Sequence, residues 1–323
     1  MVHLGDPARE AEVLPPPPPI DLDNLPGDVS QSFLIKFLIG RMNRKWAKEV
    51  VFFDQKDYEI LTEAYWDHYH HKLFSIELSQ EETSALVARC RKEKVTVNTA
   101  LTAAFSGAQS LVQGEKPYQA QTVIAADLRD RLSHSPGEGM GMYAGGAELK
   151  LEYDHRRGFW ENARQFHDQI RPALTNKNLF SAILNWLYLD PTMSEAMSFK
   201  KLGGLVPPDS ARYEKLSAFS EREDVVLKLL QRDGLETLEA KYWGTAVTNL
   251  GRLDFPGAYG ALELDRLIMQ PGGGIPLANA NLVLGAVTCS DKLSLVVEYA
   301  EEAVDTATME RVKDQAMAFL FNA

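Results

Sequence analysis

Cysteine is scarce in this 323-residue chain: only Cys90 and Cys289 are present, too few for a disulfide framework or a cysteine-based zinc site. That usage fits a reducing compartment, and the expected location is the cytoplasm. Positive charge is also in deficit. The 34 Lys and Arg residues stand against 45 Asp and Glu, a formal net charge of −11, which argues against nucleic acid as the main partner because phosphate binding needs a basic surface. Strongly apolar stretches such as Phe33–Gly40, with Lys36 inside it, fall well short of the ~20 residues that cross a bilayer. The N-terminus lacks the basic-then-apolar order of a signal peptide. G-x-S-x-G, H-E-x-x-H and G-x-G-x-x-G are all missing, which removes the usual signatures of serine hydrolases, zincins and dinucleotide binders.

What is present is ordinary globular material, 45% hydrophobic and 24% charged, and the length prior points to two lobes. Residues 1–28 read as a linker, because the run Pro15–Pro19 cannot form a helix interior and Asp21, Asp23, Asn24, Pro26, Gly27 and Asp28 follow as turn formers. Residues 29–71 contain a basic amphipathic helix over about 30–48, in which Phe33, Leu34, Phe37, Leu38 and Met42 alternate with Lys36, Arg41, Arg44, Lys45 and Lys48. Packing against another lobe is the commoner fate of such a helix, and a weak contact with a membrane surface is the second reading.

Residues 72–323 read as the second lobe. A strand over about 72–78 leads into Ser79-Gln80-Glu81-Glu82, a capping-box start for a helix with Leu86, Val87 and Cys90 on its apolar stripe. A further helix places Val97, Ala100, Leu101, Ala104, Phe105, Ala108 and Leu111 at i, i+3, i+4 spacing. Strands are expected at 121–127 and 146–153, helices over about 157–200 and 210–233, and strands at 243–249, 261–269, 282–288 and 293–299. The last two are joined as a hairpin through Cys289-Ser290-Asp291-Lys292. Asp305 is an N-cap candidate for a closing helix with Met309, Val312, Ala316, Phe319 and Leu320 on one face. Alternating strands and helices followed by hairpins argue for an α/β protein with a two-layer mixed sheet covered by helices, rather than a doubly wound parallel sheet.

Taken singly, the motifs have bland explanations. His68-Tyr69-His70-His71 has no Asp, Glu or Cys pattern beside it to complete a metal site. Pro271-Gly272-Gly273-Gly274-Ile275-Pro276 lacks the helix start of a phosphate loop and reads as a connection between strands. Asp127 and Arg129 at one strand end read as a local ion pair, and Asn249-Leu250-Gly251 at another reads as a turn.

Taken in order, the Pro-rich linker, the basic helix, Val95-Thr96-Val97-Asn98-Thr99-Ala100-Leu101, Asp127-Leu128-Arg129-Asp130-Arg131-Leu132, Thr248-Asn249-Leu250-Gly251, the hairpin and the closing helix resemble the rear portion of the condensation-domain superfamily. That superfamily includes alcohol O-acetyltransferases, polyketide-associated acyltransferases and peptide-synthetase condensation domains. The resemblance implies a chloramphenicol acetyltransferase-like fold with an incomplete N-terminal lobe. It also implies a tunnel between lobes in which an acyl thioester, on CoA or an acyl carrier protein, meets a small-molecule alcohol or amine, with no resident cofactor. By the same resemblance Asn249 and Gly251 line the tunnel, while Asp127 and Arg129 hold the lobes in register. The family's H-H-x-x-x-D-G motif is absent: His70-His71 is followed by Lys72-Leu73-Phe74-Ser75-Ile76, with no Asp at the required place. No catalytic residue is therefore expected in this chain, which alone should be inactive or weakly active, with a front lobe expected upstream. The alternative is a half-domain used for binding or assembly.

Overall fold

The computed structural model describes residues 17, 19–137, 139, 141–233, 243–272 and 280–323. Most of the Pro15–Pro19 run and most of the Gly-rich connection after Pro271 lie outside the described residues. The elements are α1 Phe33–Trp46, α2 Gln55–His68, β1 His71–Glu77, α3 Gln80–Lys92, α4 Val97–Gln113, β2 Gln121–Asp127, β3 Ala144–Lys150, α5 Phe159–Ala173, α6 Asn176–Leu179, α7 Ser181–Tyr188, α8 Pro191–Leu202, α9 Tyr213–Glu221, α10 Val225–Arg232, β4 Trp243–Leu253, β5 Ala258–Tyr259, β6 Leu262–Glu263, β7 Ala280–Cys289, β8 Lys292–Ala300 and α11 Thr306–Asn322.

Six strands form one mixed sheet in the order β1-β8-β7-β4-β2-β3. β4 is parallel to both β2 and β7, and the remaining neighbours are antiparallel. The expected mixed sheet under helices is what forms. Local chemistry sets its edges. Ser79 and Glu82 exchange side-chain and backbone hydrogen bonds in a capping box that starts α3. Asp305 accepts from the Thr308 amide and starts α11. Ser290 and Asp291 take φ of 50° and 61°, the left-handed pair that a two-residue turn between twisted strands requires.

α4 is the central helix. Every residue from Thr99 to Gln109 is buried, because the helix lies between β4 and the pair α5 and α11. Its small residues allow that approach from several sides, and Phe105, Phe166, Leu284 and Leu295 complete the same core. A second core is mainly helical and joins Trp46, Leu61, Met193, Phe199, Leu216 and Val226, so α1 and α2 pack with α8, α9 and α10. A third, smaller core sets Val29, Leu128, Tyr143, Leu179, Phe180 and Leu184 against the β2–β3 end of the sheet.

One expected strand is corrected. Over 261–269 only Leu262–Glu263 is extended and paired, in a short hairpin with Ala258–Tyr259. The rest crosses the sheet: Arg266 donates to the Ser294 hydroxyl and the Leu78 carbonyl, and Gln270 reaches Glu298 at 3.5 Å. A Cβ on Gly285 would sit 2.8 Å from the Met269 carbonyl oxygen, so the missing side chain at 285 lets this segment lie flat on β7. The third strand also begins earlier than its alternation suggests, at Ala144 rather than at 146.

Candidate functional site

β2 and β4 run side by side in the same direction, with Ile124 opposite Val247. Three residues further along each strand stand Asp127 and Leu250, so the topology brings Asp127, Asn249 and Gly251 to one end of the sheet. This is the carboxyl end of adjacent parallel strands, where open α/β sheets place their sites. The pairing of β4 with β7 shifts register between Asn249 and Arg252, which makes Asn249-Leu250-Gly251 a β-bulge. Gly251 has φ +71°, a conformation that costs a side chain about 1–2 kcal/mol. The Asn249 side chain holds the bulge, its Oδ1 accepting from the Gly251 amide at 2.8 Å. With Oδ1 so engaged, Nδ2 is the group left to donate outward.

Asp127 accepts from the Arg129 amide at 3.0 Å and from its guanidinium at 3.3 Å, and Arg129 also lies over the Tyr143 ring, 5.3 Å from its centroid. This is an exposed, local arrangement, of the kind that contributes little to stability. Arg131 does more joining, donating to the Leu174 carbonyl and the Asn176 side chain. Around this end large apolar side chains are exposed among the charged ones: Met142, Leu250, Phe255, Tyr259, Leu262 and Ile268.

The histidine cluster is divided among structural roles. His70 pairs with Glu302 at 2.6 Å. His71 joins a chain that sequence reasoning missed, with Nε2 2.8 Å from the Tyr65 hydroxyl and Nδ1 3.4 Å from Glu298. Burial, with the nearby Tyr69, Glu298 and Glu302, pushes Tyr65 up to about 12, so its phenol keeps its proton at neutral pH. Only the pairing of β1 with β8, which sets His71 opposite Ala300, brings these residues together, and no local spacing announces it. No group of His, Cys, Asp or Glu fit to hold a metal exists among the described residues. Burial likewise pushes the Cys90 thiol up to about 11, which removes it as a thiolate nucleophile.

A cavity of about 850 Å³ lies at the opposite end of β2, lined among others by Ser110, Lys116, Gln119, Lys150, His155 and Arg156. It is separated from Asp127 by the length of β2, about 20 Å at the rise of a strand. Inside it the Ser110 hydroxyl meets His155 Nε2 at 2.5 Å. Its charged walls are largely paired among themselves, Lys150 with Glu152 and Arg156 with Asp154. Among the described residues no carboxylate pairs with His155, so there the pair lacks the third group that makes a serine–histidine couple a nucleophile.

Residues 71–192 match the family described as phthiocerol/phthiodiolone dimycocerosyl transferase C-terminus. No curated protein matches the chain. Among solved structures, the trichothecene 15-O-acetyltransferase of Fusarium sporotrichioides aligns at 12% identity and a TM-score of 0.48, over 94% of this chain and 55% of that one. Polyketide synthase associated protein 5 of Mycobacterium tuberculosis aligns at 13% identity and 0.43, over 78% and 53%. The condensation domain of the monacolin K polyketide synthase aligns at 14% identity and 0.46, over 80% and 48%. The chain thus spans about half the length of the solved structures it matches. The matched segment, residues 71–192, is thus similar to the C-terminal part of that transferase family.

Proposed function

We propose that this chain is the C-terminal lobe of an acyltransferase that moves an acyl group from a CoA or carrier-protein thioester to an alcohol or amine. The observation that carries the reading is the match of residues 71–192 to a transferase C-terminal family. The apolar, uncovered surface beside Asn249 supports it, because a tunnel between lobes needs an apolar wall with a few polar groups set into it.

In the transfer, the acceptor oxygen or nitrogen attacks the thioester carbonyl, its proton passes to a general base, the C–S bond breaks and the thiol leaves. Asn249 Nδ2 donates to the carbonyl oxygen as negative charge builds there, a role worth about 2.7–4 kcal/mol for a well-aimed donor. The bulge and Gly251 hold that amide in place. The general base is supplied from outside these 323 residues, since the H-H-x-x-x-D-G motif is not among them. Without it the chain binds thioester and turns it over slowly, as a positioned base contributes about 10²–10⁴ in rate.

The test is calorimetric titration of the chain with acyl-CoA and acyl-pantetheine of several lengths, alongside thiol release in the presence of alcohols and amines. Saturable binding that weakens in Asn249→Ala, with little thiol release, is the expected result. Absence of binding to every thioester would remove the reading and leave a half-domain for assembly.

A further inference from the structure

α1 begins where Ser32 accepts from the Ile35 amide, and its outward face is unusual in two ways. Phe33 is 85% exposed and Leu34 64%, and Phe37 and Leu38 are exposed as well. Only Ile39 and Trp46 of this helix are buried. At about 100° per residue, Phe33, Leu34, Phe37 and Leu38 share one side of the helix with Arg41, Arg44 and Lys45, and the exposed Lys48 follows in the turn after the helix. That side is therefore apolar over its first two turns and basic over its last two. No Asp or Glu occurs between Val29 and Lys48, in a chain whose net charge is −11.

The neighbouring helix extends the patch. α7 lies against α1 through Gln31 on Asn185, Asn43 on the Tyr188 carbonyl, and Lys36 over the Tyr188 ring. It carries no charged residue and leaves Trp186 63% exposed. Phenylalanine, leucine and an indole beside a row of arginine and lysine are what an interfacial helix presents to lipid, the apolar end entering the acyl boundary and the cations meeting headgroups. No helix among the described residues is long and apolar enough to cross a membrane, so the contact lies in the plane of the surface.

We infer that the α1–α7 face docks on an anionic lipid surface. Charge complementarity decides for this occupant: a second copy of this chain would bring another basic face against the first, whereas anionic headgroups neutralise Arg41, Arg44 and Lys48, and Lys45 beyond its 3.9 Å pairing with Glu49. The inference does not rest on acyl transfer, since none of its residues touches Asn249.

The experiment is co-sedimentation of the whole chain with phosphatidylcholine vesicles and with vesicles containing about one-third phosphatidylglycerol, at low and high salt. Binding to the anionic vesicles at least tenfold tighter than to the neutral ones, falling with salt, is expected. Each removed cation should weaken binding about fivefold, so R41Q/R44Q should lose about 25-fold. F33S/F37S should lose binding as well, while Phe255→Ser, on the separate apolar surface, should not. All these side chains are exposed, so the variants should fold as the parent does, which circular dichroism checks. Equal binding to both vesicles, no binding, or full binding by F33S/F37S would overturn the inference. So would a dimer in size-exclusion chromatography that F33S/F37S disperses, since a second copy would then own the face.

Discussion

Lys200 is the sharpest test of how the helical core is held. Its side chain is 2% exposed and its ammonium lies 2.9 Å from Asp224, itself 1% exposed. The other donors reach the carbonyls of Phe219 at 2.8 Å and Arg222 at 2.5 Å. Asp224 also receives the Arg222 guanidinium and the Leu227 amide, the latter as N-cap of α10. Replacing Lys200 by Met keeps the volume but strands two carbonyls and removes one of two cations from a buried carboxylate. Breaking a buried pair typically costs about 3–5 kcal/mol, and the surviving Arg222 places this case at the low end, about 3 kcal/mol. For 323 residues, at about 2.1 cal/mol/K per residue, that is a fall in Tm of about 4–5 °C.

The assay is urea denaturation with thermal melts at neutral pH, repeated toward acid. Burial pushes the Asp224 carboxyl up, but the Leu227 amide, Lys200 and Arg222 together outweigh it and hold the group below its ordinary value. Such a carboxylate contributes stability that is complete above its unfolded pKa of about 3.9 and is lost as pH falls through the folded value. The deficit of Lys200→Met should therefore shrink in acid. A variant within about 1 kcal/mol of the parent at neutral pH would refute the reasoning, because it would mean that the ammonium only offsets its own desolvation.

Asn249→Ala removes the acceptor for the Gly251 amide and should cost about 1 kcal/mol in denaturant titration, with weaker thioester binding. Gly251→Val should cost about 1–2 kcal/mol by placing a β-branched residue at φ +71°. Ser79→Ala opens the capping box of α3 and should cost about 1 kcal/mol. Asp154 is held down to about 2, chiefly by the Arg156 side chain and amide and also by the charge of Arg157. Its contribution should be complete above pH ~4 and disappear as pH falls through about 2, and Asp154→Asn should remove that part of the acid transition.

How much could be read in advance depended on whether the signal was local. The capping box at Ser79, the left-handed turn at Ser290-Asp291 and the Asp305 cap depend on residues within four positions, and each forms where the sequence placed it. α4 was legible from its spacing, although Leu111 on the expected stripe is exposed. The segment 264–270 misled because Leu264, Leu267, Ile268 and Met269 read as a strand, while Arg266 and Gln270 anchor it through their own side chains to the distant Leu78, Ser294 and Glu298 rather than through a strand ladder. The chain Tyr65–His71–Glu298 and the pair Ser110–His155 were illegible for the same reason: each depends on contacts that only tertiary pairing makes.

The exposed apolar surface falls into two regions whose charge differs, and the difference argues for two kinds of partner. Along 250–268, Leu250, Phe255, Tyr259, Leu262 and Ile268 are interspersed with Arg252, Asp254, Glu263, Asp265 and Arg266. There Arg252 is engaged by Asp254 and Asp291, and Arg266 by Glu77. Charges satisfied within the chain ask nothing of a partner, so this surface suits another protein lobe that brings apolar groups. On α1 and the turn after it the outward cations Arg41, Arg44 and Lys48 meet no carboxylate among the described residues, and only Lys45 reaches Glu49, at 3.9 Å. Unsatisfied like charges repel a basic partner and favour an anionic one. A single partner covering both regions would have to be apolar and uncharged at one end and strongly anionic at the other. Substitutions at Phe255 and Leu262 should therefore alter thioester binding without touching vesicle binding, and substitutions at Arg41 and Arg44 should do the reverse.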